Sequence, residues 1–350
     1  MQSEIRDRGA GVGARPLLEG GMRARDLAGS AGISEAELLE TNGAPEVVRL
    51  RGDMRGLIQA LPSLGEVMAL TRNEAAVHEK VGAFGNISLG SVHGLVLNGA
   101  IDLRLFMAHW HCAFAVVLPG EAGPRRSLQI FDSHGDAVLK VHLKPASDVA
   151  AFERLVEAFT DPAPEPLSLT PAPAAEISAG PADAEAFRRD FDGMKDVHEF
   201  FPLLRRHAVT RRAALDHLDG QYVQRLDNAA VPALLDGAAA SGLPIMCFVG
   251  NRGCIQIHSG PVANIKPMGP WLNVLDPGFN LHLRHDLVAE VWSVRKPTKD
   301  GHITSVELYG ADQGLIAQFF GVRHEGQPEN PAWRHLIASL PVAERESVGS

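Results

Sequence analysis

Six groups of residues recur along this chain at a fixed offset of 178 positions without a gap: Met68 with Met246, Asn73 with Asn251, Gly82 with Gly260, Asn86-Ile87 with Asn264-Ile265, Leu103 and Leu105 with Leu281 and Leu283, and Ser127 with Ser305. A match sustained over that span restricts the chain to a fold made twice. With 350 residues, each copy is large enough to bury its own hydrophobic core. Between the copies, DPAPEPLSLTPAPAAEISAGPADA at 161–184 is rich in Pro and Ala and has no apolar period, which reads as an exposed, mobile linker. The expected domains are therefore a first repeat at 1–160, the linker, and a second repeat at 185–350.

Each repeat reads as helices followed by antiparallel strands, an α+β pattern with one large sheet per half. Apolar and polar residues alternate at Ala137–Leu143, Cys254–His258, Asn280–Arg284 and Ile303–Leu308, which predicts strands. Asp102–Leu118 reads as one central strand or a bent pair. Ser34-Glu-Ala-Glu37 has the spacing of a capping box, and Val209-Thr210-Arg211 answers it in the second copy at an offset of 176. From Asp183 to His207, Phe187, Phe191, Met194, Val197, Phe201 and Leu204 form one helical face. Pro202 predicts a break near 197–200, with a new helix holding that proline in its first turn and His198 beside the break. A last helix is expected at Ala332–Leu340.

The formal charge of −9 disfavours nucleic acid and anionic lipid as partners. The first residues lack a secretory apolar core and no apolar run is long enough to span a bilayer, so the cytoplasm is expected and membrane insertion is not. Cys112, Cys247 and Cys254 make neither a disulfide framework nor a zinc motif and read as small core residues. Gly-rich phosphate loops, GxSxG, HExxH and HRD elements are absent from the sequence, which argues against hydrolase and nucleotide chemistry. His109-Trp-His111 would set two imidazoles on one strand face, but no third ligand is near, and a structural role is expected. His282 and Arg284 share a strand face opposite Leu281 and Leu283, with surface exposure and ligand contact both open.

What separates the copies is chemistry. His198 aligns at 176 with Met22. At 178, Phe248 aligns with Leu70, Lys296 with Leu118, Gln318 with Lys140, Phe320 with His142 and Arg323 with Pro145. One imidazole, two cations, two rings and an amide suit a flat apolar macrocycle with a central metal and carboxylates at its edge.

Several segments resemble a known family: GEVMALTRNE at 65–74, AVHEK at 76–80, IDLRLF at 101–106, DVHEFFPLLR at 196–205, FVGNRGC at 248–254, GPV at 260–262, NIKPMGPWLN at 264–273 and RKPT at 295–298. They are similar to the cytoplasmic haemin-degrading and haem-trafficking proteins of the HemS, ChuS, HmuS and PhuS type. The resemblance runs from about Arg23 to Trp333 and implies two similar α+β halves with haem in a cleft. It implies His198 as axial ligand to the haem iron and Arg104 reaching the opposite haem face. It further implies Arg211, Lys296 and Arg323 around the propionates or pocket rim, and Met246, Phe248, Gln318 and Phe320 along the macrocycle. Glu199 stands where relatives often carry Gln and is expected to face solvent. His78 is expected to be structural. Two functions follow from the resemblance: sequestering haem and delivering it or its iron, with an inner-membrane haem importer or a downstream haem oxygenase as partner, or opening the porphyrin ring with an external reductant and oxygen or peroxide.

Overall fold

The computed structural model of the protein describes residues 24–43, 46–173, 180–323 and 326–344. Met22 and part of the expected linker lie outside the described residues. The first repeat contains α1 (Ala24–Ala31), α2 (Glu35–Asn42), β1 (Val47–Leu50), α3 (Met54–Ala60), β2 (Glu66–Arg72), β3 (Ala76–Ala83), β4 (Ile87–Leu89), β5 (Gly94–Asn98), β6 (Ile101–Leu105), β7 (Cys112–Leu118), β8 (Arg125–Phe131), β9 (Ala137–Leu143) and α4 (Val149–Phe159). The second contains α5 (Ala184–Asp192), α6 (Phe200–Arg206), α7 (Arg211–Leu215), β10 (Val223–Leu226), α8 (Ala230–Ser241), β11 (Ile245–Gly250), β12 (Cys254–Gly260), β13 (Ile265–Met268), β14 (Trp271–Asp276), β15 (Phe279–Arg284), β16 (Glu290–Thr298), β17 (Gly301–Tyr309), β18 (Leu315–Gly321) and α9 (Pro331–Ala338). All four alternating segments are strands, and the fold is α+β.

The sheets do not follow the repeats. One nine-stranded antiparallel sheet runs β1-β7-β8-β9-β2-β3-β15-β14-β13 and the other β10-β16-β17-β18-β11-β12-β6-β5-β4. Each repeat thus lends three consecutive strands, β4–β6 or β13–β15, to the sheet of the other, joined through Leu281 opposite His78 and Ile255 opposite Arg104. The cores, by contrast, stay largely with the repeats, with Ala75 and Ala76 entering the second and Cys254 the first. Leu103 and Leu105 of β6 pack with Leu57, Val67 and Leu139, while Leu281 and Leu283 of β15 pack with Leu234, Ile245 and Phe319. Alternation explains how both hold: an exchanged strand gives its ladder to one sheet and its apolar face to the core beneath. The repeated leucines are the residues that do this.

The repeated asparagines sit where the two sheets meet. Asn73 Nδ2 donates to the Gly250 and Ile316 carbonyls at 3.1 and 2.8 Å, and its Oδ1 accepts from Ala75 and Ala76 N. Asn251 reciprocates, donating to the Arg72 and Val138 carbonyls at 3.0 and 2.9 Å and accepting from Gly253 and Cys254 N. One amide thus closes its own turn and bonds the opposite copy's backbone. Between the sheets, His258 stacks on Phe279 with centroids 3.8 Å apart and takes Lys80 Nζ at 3.0 Å on Nδ1. His78 is fully buried against the same ring, and neither of its nitrogens makes a hydrogen bond. Burial holds its pKa well below the usual range.

Asp102–Leu118 is the bent pair rather than the single strand, and its two members part company: β6 ends in the second sheet and β7 begins in the first. The crossing is made by a 3-10 turn at Met107–His109, pinned where Phe106 N and Trp110 Nε1 both donate to the Gly253 carbonyl at 2.9 Å. His109 and His111 therefore flank a buried tryptophan and lie on no strand. His111 has the structural role expected, its Nε2 lying 2.9 Å from the Ser168 carbonyl. That contact also corrects the loose linker: Thr170 N donates to the Ser133 carbonyl at 2.8 Å and Leu167 packs on the Phe114–Phe131 cluster. Residues 167–170 are fastened to the first repeat. All three cysteines are buried, and burial pushes the Cys112 and Cys254 thiols up to about 12.

Candidate functional site

The capping box forms as the spacing predicts, with Ser34 Oγ accepting from Glu37 N and the Glu37 carboxylate accepting from Ser34 N. In the second copy Thr210 caps α7, which places Arg211 at the first helical position over the outer face of the second sheet. A new helix holds Pro202 in its first turn as expected, but the break comes earlier than the proline predicts: α5 stops at Asp192 with Gly193 as its C-cap, Val197–Glu199 forms a 3-10 turn, and α6 begins at Phe200. His198 stands on that turn, its side chain 88% exposed.

Four of the expected macrocycle residues share one face of the second sheet, because Met246 lies opposite Phe320 and Phe248 opposite Gln318 in the β11–β18 ladder. Their side chains are half-buried, and the two phenyl rings meet edge-on with centroids 5.1 Å apart. The same face continues through Gly250 and Ile255 to Arg104 on the exchanged strand β6. Two strand spacings, roughly 10 Å, separate Arg104 from β11. Arg104 is partly exposed and ion-paired with Asp102 on the same strand face. Beyond Phe248 and Gln318 the floor opens into a cavity of about 770 Å³ lined by Ile255, Val288, Ala311, Leu315 and Ile316.

Arg211, Lys296 and Gln318 meet on a residue the sequence reading passed over. The Glu307 carboxylate has no exposure and accepts from Arg211 Nε and Nη2 at 2.8 Å each, Lys296 Nζ at 2.7 Å, Ser305 Oγ at 2.9 Å, Tyr309 Oη at 2.6 Å and Gln318 Nε2 at 3.1 Å. Burial alone would raise its pKa, but Arg211 and Lys296 outweigh burial and hold it well below the carboxylate range. Burial brings Lys296 down to about 8, against the opposing pull of Glu307. Two cations face one carboxylate, so the cluster keeps a formal positive excess beside the floor. Phe200 is clamped over it, 5.1 Å from Lys296 Nζ and 5.2 Å from Arg211 Cζ. Glu307 was legible at the same offset, which aligns it with Gln129, as it aligns Tyr309 with Phe131.

The carboxylate that touches His198 is Asp196, not Glu199. Asp196 Oδ1 lies 2.6 Å from His198 Nδ1 and accepts from His198 N at 2.8 Å, whereas exposed Glu199 accepts from Lys195 N. The backbone N–H of His198 holds the Asp196 carboxyl below its usual range, with its ring and Arg323 adding to the effect. Arg323 is half-buried just past β18 and belongs to this end of the face. His282 occupies the position of Arg104 in the other copy, but its Nδ1 lies 2.7 Å from Asn273 Oδ1, and Arg284 pairs with Asp286. Among the described residues, no group of three or more His, Cys, Asp or Glu side chains is placed to hold a bare metal ion. A single presented imidazole, an aromatic floor and a cation excess fit a metal that arrives inside its own macrocycle.

The family model for the haemin-degrading HemS/ChuX domain matches residues 32–159 and 208–340. The chain belongs to this family. The two matched segments fall one in each repeat, and the turn that carries His198 lies between them. It is 44% identical over 322 residues to the hemin transport protein HemS of Yersinia enterocolitica, covering 91% of this chain and 93% of that protein. Identity to the hemin transport protein HmuS of Yersinia pestis is 43% over 321 residues, with the same shares covered. Among solved structures, the heme degrading enzyme ChuS of Escherichia coli O157:H7 superposes with a TM-score of 0.87 at 42% identity, covering 92% of this chain and 95% of that one. Holo-PhuS, a heme-binding protein from Pseudomonas aeruginosa, gives 0.87 at 44% identity, with 92% and 94% covered.

Proposed function

We propose that this HemS/ChuX family member binds haem on the outer face of its second sheet, with His198 as axial ligand, and serves haem uptake and utilisation by sequestering haem and passing it, or its iron, onward. The observation that carries this is the exposed His198 imidazole, on a turn that packs against β16 of the sheet holding the half-buried Met246–Phe248–Phe320 floor and within electrostatic reach of Arg323, its ring bonded among the described residues at Nδ1 alone. Bound haem would supply a redox-active iron. The protein's part is to ligate through the free Nε2, cover one macrocycle face with Phe248 and Phe320, and offset propionate charge with the positive excess of Arg211 and Lys296 over Glu307 and with Arg323. Arg104 arrives on that face from the other repeat and is the residue suited to the opposite side of the macrocycle. An importer that delivers haem and an oxygenase that receives it are the partner classes such a carrier serves.

The test is an absorption titration with haemin. His198→Ala is expected to weaken binding at least tenfold and to shift the Soret band, while His109→Ala leaves both as in the parent. Equal binding by parent and His198→Ala would sink the assignment. The second reading, ring opening, takes its support from the degrading activity in the name of ChuS. Aerobic incubation of the complex with an electron donor separates the two: catalase-insensitive loss of the Soret band with a linear tetrapyrrole product marks the enzyme, and recovery of intact haem on an acceptor protein marks the carrier.

A further inference from the structure

An exposed imidazole on a surface turn is a poor ligand by default. It samples several rotamers, and its single proton is shared between two nitrogens, so only a fraction of molecules offer the right lone pair in the right direction. The turn carrying His198 removes both freedoms with one oxygen. Asp196 stands at the N-cap of the 3-10 turn with extended backbone, φ −148° and ψ 143°. Its Oδ1 accepts the His198 backbone N–H at 2.8 Å and lies 2.6 Å from the His198 ring at Nδ1. The backbone contact fixes where the oxygen sits. The ring contact then fixes the side-chain torsions of a residue that is otherwise 88% exposed. Among the described residues, nothing else hydrogen-bonds the His198 ring.

A carboxylate only accepts, so the proton of the neutral imidazole resides on Nδ1 and the Nε2 lone pair is left free. From this geometry we infer that Asp196 is the positioning residue of the haem ligand: it keeps His198 in the Nδ1–H tautomer and aims Nε2 at the iron. The inference rests on the reading of His198 as axial ligand, and it goes beyond that reading by assigning the second residue on which ligation depends. A carboxylate on the far nitrogen also makes the imidazole a stronger donor, which favours ferric over ferrous iron. Asp196 thus acts through His198 in two separable ways, by orientation and by charge.

Two substitutions separate them. Asp196→Asn keeps an oxygen that accepts from both N–H groups but removes the charge. Asp196→Ala removes both. Because the site is an exposed turn, both variants are expected to unfold in urea at the parent midpoint. In the haem-free protein, long-range ¹⁵N–¹H correlation of the His198 ring is expected to show Nδ1–H in the parent and in Asp196→Asn, and a majority of Nε2–H in Asp196→Ala. With haemin, Asp196→Ala is expected to lose about 10- to 100-fold in affinity, the range usual for partners of metal-bound histidines. Asp196→Asn is expected to bind within about threefold of the parent, on the same principle that orientation is kept, with a more positive iron reduction potential. In the His198→Ala background, Asp196→Ala is expected to cost nothing further.

An Nε2–H tautomer in the haem-free parent would overturn the inference whatever the haem affinities. So would an unaltered tautomer and parent-like binding in Asp196→Ala while His198→Ala fails to bind. If His198→Ala binds haem as the parent does, it is the ligand assignment that has failed, and the tautomer measurement still decides what Asp196 does to the ring.

Discussion

Acid stability offers a direct measurement of the interface between the two sheets. His258 is buried there, stacked on Phe279 and bonded through Nδ1 to Lys80, with Nε2 unpartnered. Burial, and then the charge of Lys80, lower its pKa from 6.5 to about 4. A base with a depressed folded pKa stabilises the fold fully above 6.5, and that contribution is lost as the pH falls, because the unfolded chain takes up the proton first. With those two values the loss between pH 7.5 and pH 5 is about 2 kcal/mol, and no more than about 3.5 kcal/mol at lower pH. His258→Gln keeps an acceptor for Lys80 and removes the titration. Its stability at pH 7.5 is expected to be lower, through the lost ring stacking, but the fall towards pH 5 is expected to be smaller than the parent's by about 2 kcal/mol. Urea unfolding at half-unit pH steps reads the difference. His78, whose pKa is also depressed by burial, leaves a residual slope in both proteins. Parallel curves for parent and variant would refute the account of His258 as a buried neutral base.

Asn251→Ala removes an amide that bonds both its own turn and the other repeat, and a loss of about 3 kcal/mol is expected, read as a lower urea midpoint. Asn73→Ala is expected to match it, since its bonds are the mirror of the first. Glu307→Gln leaves Arg211 and Lys296 buried together without their carboxylate, and a destabilisation of about 3–5 kcal/mol is expected by thermal unfolding; a neutral outcome would mean that water reaches the cluster. Limited proteolysis is expected to cut after Thr170 and before Asp183, as fragment masses will show, and the two pieces are expected to co-elute natively because their strands share sheets. Separation without denaturant would contradict the exchanged topology.

Local pattern carried much of this fold. The strand at Ala137–Leu143 has the bounds read from its pattern, although both faces of its first five residues are buried; Pro202 stands in the first turn of a new helix as its sterics allow, while the preceding helix ends earlier, at Gly193. The exchange of β4–β6 and β13–β15 was not legible, since alternation states which face of a strand is buried and says nothing of which neighbour it bonds. For the same reason Asp102–Leu118 could be read as one strand or a bent pair, but not as two strands that enter different sheets at Phe106–His111. In the site, the gained residues stood out against their repeat partners, whereas Asp196 lies in a motif whose chemistry seemed to rest in the histidine alone. Its distance of two residues is that of a side chain capping its own turn, a signal available from spacing.

The exchanged strands also impose an order on synthesis. While the protein emerges from the ribosome, β3 stands as an open edge, a row of unpaired amides and carbonyls suited to sticking to any extended peptide. Its rightful neighbour, Phe279–Arg284, is made only after most of the second repeat. A nascent first repeat is therefore exposed to aggregation for much of translation, and truncated products ending before β15 are expected in inclusion bodies or bound to chaperones.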